Sequence, residues 1–133
     1  MKPVIQTYLG KYFDYREPEE YHYEILEIAH ALSHQARFTG HTFFHYSVAQ
    51  HSVLVAKLVP PELKLTALLH DASEAYLVDI PRPLKALLPD YVRLEERTMS
   101  AIAKYYGLIF PFPEAIKRAD NMLLLAEKQQ LLH

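Results

Sequence analysis

The sequence predicts an all-α fold, a helical bundle in a single domain spanning residues 1–133. Three observations carry this. Apolar residues recur at helical spacing in five segments. The nine prolines and three glycines fall between those segments rather than inside them. Period-two alternation of the kind strands show is scarce. Stripes of this type are buried by packing helix on helix.

The elements follow in order. Met1 to Pro18 is rich in aromatics and contains Gly10, so it reads as irregular or strand-like arms against the body. Tyr23 to Leu32 is the first helix, with Ile25, Ile28, Ala29 and Leu32 at helical spacing. Ser33 to Thr42, with Gly40, is a loop. Ser47 is placed to cap a helix running to about Leu58, which Pro60-Pro61 stops. Pro61 suits the first turn of the next helix, Glu62 to about Ala75. Asp79-Ile80-Pro81-Arg82-Pro83 is expected to be rigid and non-helical. Lys85 to Leu88 is a short helical turn. Asp90 is expected to cap a helix from Tyr91 to Tyr106, with Gly107 ending it. After Pro111 to Pro113, the last helix runs from about Glu114 to Leu131.

Composition narrows the function. Half the 133 residues are hydrophobic, enough for a core at this size. The net charge of −2 has no basic block behind it, which argues against a nucleic-acid polymer as partner. A nucleotide-sized ligand stays open, because one Arg and one metal ion neutralise a phosphate locally. With no cysteine, disulfides are excluded and any metal site must use His, Asp or Glu. The first twelve residues have no signal-peptide character, and no run reaches membrane-spanning length. No membrane partner is expected.

Polar residues interrupt the apolar stripes. His51 lies between Val48 and Val55 on a stripe that also holds Leu58. The stripe of Leu63 and Ala67 continues through His70 and Glu74, with Asp71 at its border. The stripe of Ile116 and Leu123 includes Asp120 and continues to Glu127. Burying such groups unpaired is costly, whereas two His and two Asp sharing a divalent cation would offset the desolvation. Each residue has an ordinary reading when taken alone. His51 suits a hydrogen-bonded core, Asp120 an ion pair with Lys117 or Arg118, and His70-Asp71 is a common dipeptide. Their conjunction on three stripes favours the metal.

At these residues the chain resembles the HD superfamily, whose pattern is a His, a distant His-Asp pair and a distant Asp around one metal. It is most similar to the YfbR-like 5′-deoxynucleotidases and their phage relatives. The likeness is carried by Arg37-Phe38-Thr39-Gly40-His41-Thr42, Ser47 to Ser52, His70-Asp71-Ala72-Ser73-Glu74-Ala75, Asp79 to Lys85 and Ala119-Asp120-Asn121. It implies an HD-domain helical bundle in which His51, His70, Asp71 and Asp120 ligate a divalent ion. That set suits cobalt, manganese, zinc or iron, with magnesium also admitted.

Glu74 lies one turn after His70, placed to orient or deprotonate an attacking water. Arg37 would grip phosphate in paired hydrogen bonds, Phe38 would stack on a base or sugar or else pack in the core, and Asp79 would meet the sugar or be an ordinary turn acid. Lys85 would touch phosphates or be solvated. His30 and His34 form an i, i+4 pair without the Glu of the zincin motif and are read as structural. His41 and His45 are expected near substrate but not on metal. Tyr12, Tyr15, Tyr21 and Tyr23 are expected to pack.

The resemblance implies hydrolysis of a deoxynucleoside 5′-monophosphate to deoxynucleoside and phosphate. The alternatives are release of triphosphate from a deoxynucleoside triphosphate, a non-catalytic metal-containing nucleotide sensor, and a purely structural module. It also implies a bacterial or phage-infected host cytosol and a homo-oligomer. Relatives commonly continue beyond the Asp120 helix, so a neighbouring subunit is one way to complete the pocket wall.

Overall fold

The structure, a computed structural model, describes residues 1–133. Seven α-helices make up most of it: α1 (Ile25–His34), α2 (Val48–Lys57), α3 (Lys64–Leu68), α4 (Glu74–Leu77), α5 (Arg82–Lys85), α6 (Pro89–Tyr106) and α7 (Glu114–Leu131). Two strands, β1 (Val4–Gln6) and β2 (Tyr12–Asp14), pair antiparallel with Ile5 opposite Phe13. The all-α expectation is therefore corrected to a mostly helical fold with a small sheet. The arms pair because their β-branched and aromatic residues favour extended backbone, and Gly10, at φ +80°, lets the connection turn. Phe13 then plugs the core, fully buried and stacked on Tyr76.

The main core joins Phe13 and Tyr23 to Ile28 and Leu32 of α1, Val48 of α2 and Ile102 of α6. A second cluster joins Val55 of α2, Ala67 of α3 and Ile116 and Ala119 of α7. The polar site described below lies where α2, α3 and α7 meet. No helix is long and apolar enough to cross a membrane.

Some boundaries hold and others shift. Ser47 caps α2 with a full capping box: its hydroxyl accepts from the Gln50 amide at 3.0 Å, and the Gln50 side chain accepts from the Ser47 amide at 2.8 Å. Gly107 ends α6 in the left-handed conformation, and α7 begins directly after Pro113. Asp90, however, does not cap α6. That helix starts at Pro89, two residues before the expected Tyr91, and the missing proline N–H costs nothing in a first turn. Likewise α5 begins at Arg82, inside the stretch expected to be non-helical, because Pro83 also falls in a first turn. The α1 stripe is narrower than expected, with Ile28 and Leu32 buried while Ile25 and Ala29 are exposed. Leu58 also points outward, beyond the end of α2.

The largest departure is the helix expected over Glu62 to Ala75. It is a 3-10 turn (Pro61–Leu63), then α3, then a run of tight turns, then α4. Amides of Ala72, Glu74 and Ala75 bond three residues back rather than four. Tightening to about 3.0 residues per turn rotates successive side chains differently. Both His70 and the adjacent Asp71 consequently reach the same centre.

Candidate metal centre

His51 Nε2 lies 2.6 Å from Asp120 Oδ1 and 3.9 Å from Asp71 Oδ2. His70 Nε2 lies 3.2 Å from Asp71 Oδ2 and 3.5 Å from Asp120 Oδ1. Both imidazoles are buried, and the two aspartates are half-buried in front of them. The group of His51, His70 and Asp120 can hold a metal ion, and Asp71 stands beside it.

The hydrogen bonds fit a cation. His51 Nδ1 donates to Glu127 Oε2 at 2.8 Å, and His70 Nδ1 donates to the Ala67 carbonyl at 2.6 Å. Each neutral ring thereby keeps its Nε2 lone pair toward the aspartates. Buried His70 Nε2 has no hydrogen-bond partner, and a lone pair facing a carboxylate is repulsive unless a proton or cation lies between them. Donors around one ion at bonds of about 2.1 Å stand roughly 3.4 Å apart. The four His-to-Asp separations bracket that value, with His51, His70 and Asp120 within common reach of one ion and Asp71 adjoining them. Without an ion, protons take its place. Burial works against protonating His70, but the Asp71 and Asp120 carboxylates outweigh it and push it up to about 9. For His51 too burial is outweighed, by Asp120 and Glu127, and its pKa is raised. Burial would raise Asp120, yet its two imidazole partners hold it far below the usual carboxylate range.

A cavity of about 460 Å³ opens on Asp71 and Asp120. Its wall includes Glu74, Asp79, Arg37, Phe38 and Lys85, so every expected site residue either lines it or stands behind it on the metal group. Glu74 is buried, and one of its oxygens, Oε1, is unpartnered. Burial, with Asp71 and Asp79 nearby, pushes its carboxyl well above the ordinary value. Burial also raises Asp79, against the pull of Arg37. Gln35 Nε2 donates to the Glu74 carbonyl at 2.7 Å and holds the start of α4.

Arg37 donates to Glu127 Oε1 at 2.9 Å, its Nε is unpartnered, and its guanidinium lies 5.0 Å from the Phe38 ring centroid. Phe38 belongs to neither core cluster. Lys85, though at the wall, gives its ammonium to Glu95 at 2.8 and 2.9 Å, so neither free solvation nor an open phosphate contact describes it.

No family model matches the chain. It is 46% identical to the uncharacterized protein YfdR of Escherichia coli (strain K12) over 127 residues, covering 96% of the chain and 71% of that relative. The chain belongs to the YfdR family. A second relative, an uncharacterized protein of Rhodobacter capsulatus, is 38% identical over 146 residues, covering 98% of the chain and 74% of its own length.

In this YfdR-family chain three further residues bear on the site. Buried Glu127 takes hydrogen bonds from His51, Arg37 and Tyr46. Its signal was present, since it continues the stripe of Asp120, but its three donors come from elsewhere in the chain. Arg82 lines the cavity with Nη2 3.5 Å from Asp120 Oδ2, and Lys128 lines it too. A surface Arg and Lys carry no sequence signal that separates them from their neighbours. His41 lines the cavity as expected. His45 does not line it and instead lies 3.2 Å from the Ser33 carbonyl. His30 stacks between Tyr8 and His34, away from the metal group. Tyr15, Tyr21 and Tyr23 pack around Phe13, while Tyr12 is exposed.

Proposed function

We propose that this chain is an HD-type metal-dependent phosphohydrolase that cleaves a deoxynucleoside 5′-monophosphate to deoxynucleoside and phosphate. The observation that carries this reading is the gathering of His51, His70, Asp71 and Asp120 at the edge of a cavity that also holds Glu74 and Arg37. A divalent ion bound by those four residues, with cobalt, manganese, zinc or iron suited to the set, would supply Lewis-acid polarisation of phosphate and water.

The chain's own groups do the rest. Arg37 keeps part of its guanidinium free of Glu127 and is placed to hold phosphate oxygens and offset their growing charge. Glu74, with a raised pKa and a free Oε1, takes the proton from the water that attacks phosphorus. The bond from phosphorus to the sugar oxygen breaks, and the same carboxyl returns the proton to that oxygen. Asp79 on the cavity wall is placed to accept a hydrogen bond from the sugar hydroxyl, with Phe38 against the sugar or base. A deoxynucleotide substrate puts this work in the cytosol.

Release of triphosphate from a deoxynucleoside triphosphate is the second reading. It is favoured by Arg82 and Lys128, which add positive charge to the lining of the cavity besides Arg37. Assays of phosphate and triphosphate release across deoxynucleotides, with and without cobalt, manganese or zinc, decide between them. Glu74→Ala is expected to lower turnover by about 10²- to 10⁴-fold. A nucleotide that binds without turnover under all these conditions overturns the enzyme reading in favour of a sensor.

A further inference from the structure

Glu127 does more than fill a core position. It stands two turns after Asp120 on the same face of α7, and its side chain is 3% exposed. The two oxygens serve different partners. Oε2 accepts from His51 Nδ1 at 2.8 Å and from the Tyr46 hydroxyl. Oε1 accepts from Arg37 Nη2 at 2.9 Å. One carboxylate thus fixes the tautomer of a metal-group histidine and the orientation of the cavity's arginine. We infer that Glu127 is a positioning residue tying metal binding at His51 to the anion grip of Arg37, an inference that rests on the metal-dependent phosphohydrolase reading. A carboxylate behind a ligating histidine orients the ring and raises its basicity, while the same group prevents Arg37 from turning away from the cavity.

The division between the oxygens makes the two roles separable. In Glu127→Gln, an amide oxygen at the Oε2 position keeps His51 and Tyr46, but the amide NH₂ at the Oε1 position opposes another donor on Arg37. Glu127→Ala removes both links.

The test is cobalt titration, followed by binding of inorganic phosphate to the cobalt-loaded protein, for the unsubstituted chain, both Glu127 variants and Arg37→Ala. Glu127→Ala is expected to bind cobalt about 10- to 100-fold more weakly. Glu127→Gln, which keeps an acceptor behind His51 but loses the carboxylate's effect on its basicity, is expected to weaken measurably but less than Glu127→Ala. Phosphate binding by Glu127→Gln is expected to fall as far as in Arg37→Ala. Where Glu127→Ala fails to fold, the near-isosteric Gln variant carries the test through this split. Unchanged cobalt affinity in folded Glu127→Ala overturns the metal half. Unchanged phosphate affinity in Glu127→Gln, where Arg37→Ala has lost it, overturns the coupling. Failure of the unsubstituted chain to bind cobalt overturns the metal reading itself, and this inference with it.

Discussion

At Val78 the backbone sits at φ +61° and ψ +169°, a region that suits glycine and penalises a β-branched side chain. Tyr91 holds the strained link by donating to the carbonyls of Leu77 at 3.0 Å and Val78 at 2.7 Å. The next residue is Asp79, at the cavity wall. Val78 is 54% exposed as a residue, so little burial would be lost on removal of its side chain. Val78→Gly is therefore expected to stabilise the fold by about 1 kcal/mol, read as a higher urea midpoint; a lower midpoint contradicts the strain. Asp120→Asn should weaken cobalt binding at least about 100-fold, more than loss of an outer partner does. At this scale the sequence was informative where a polar residue broke an apolar stripe, as His51 and Asp120 do. It was silent about Val78, because no local pattern marks a strained turn imposed by packing.

Among the elements, the N-terminal hairpin and α1 show how far local pattern reaches. Val4–Gln6 and Tyr12–Asp14 are too short to display alternation, and burial of Phe13 adds to their β-favouring residues the reason they stay paired against the body. Phe13→Ala is expected to cost about 3–5 kcal/mol in chemical unfolding, far more than a surface hairpin would. In α1, Glu27 is buried, and its Oε2 accepts from the hydroxyls of Tyr21 and Tyr76, both at 2.7 Å. Burial works to raise its pKa, but Thr7, Tyr21 and Tyr76 outweigh it and hold it below the ordinary 4.5. With the folded value below the unfolded one, Glu27 contributes stability above 4.5 and loses it as pH falls through the folded value. Glu27→Gln should accordingly flatten the loss of stability as pH falls below about 4.5. Equal acid sensitivity in the two proteins would refute this. A Glu in a helix with apolar neighbours gives no sign in sequence that tyrosines from two other segments will meet it.

Across the whole molecule, the polar centre sits between the two apolar clusters and joins α2, the α3–α4 turns and α7. An ion bound there would cross-link three segments that are distant in sequence. At free cobalt about 100 times its Kd, binding to the folded state adds about 2.7 kcal/mol, which for a domain of this size raises Tm by roughly 10 °C. Chelator should reverse the rise, whereas a purely structural module would show no change with either treatment.

The sequence by itself determined where α2 begins, where α6 ends and where α7 begins, through Ser47, Gly107 and Pro113, because caps and breakers act on their immediate neighbours. It also marked His51, His70, Asp71 and Asp120 as polar residues in or bordering apolar stripes. Only the tertiary structure decided that the helix expected to reach Ala75 unwinds at His70-Asp71, that the N-terminal arms pair, and that Glu127 serves both His51 and Arg37. Those outcomes depend on contacts between residues tens of positions apart, and packing sets such contacts where local propensity has no reach.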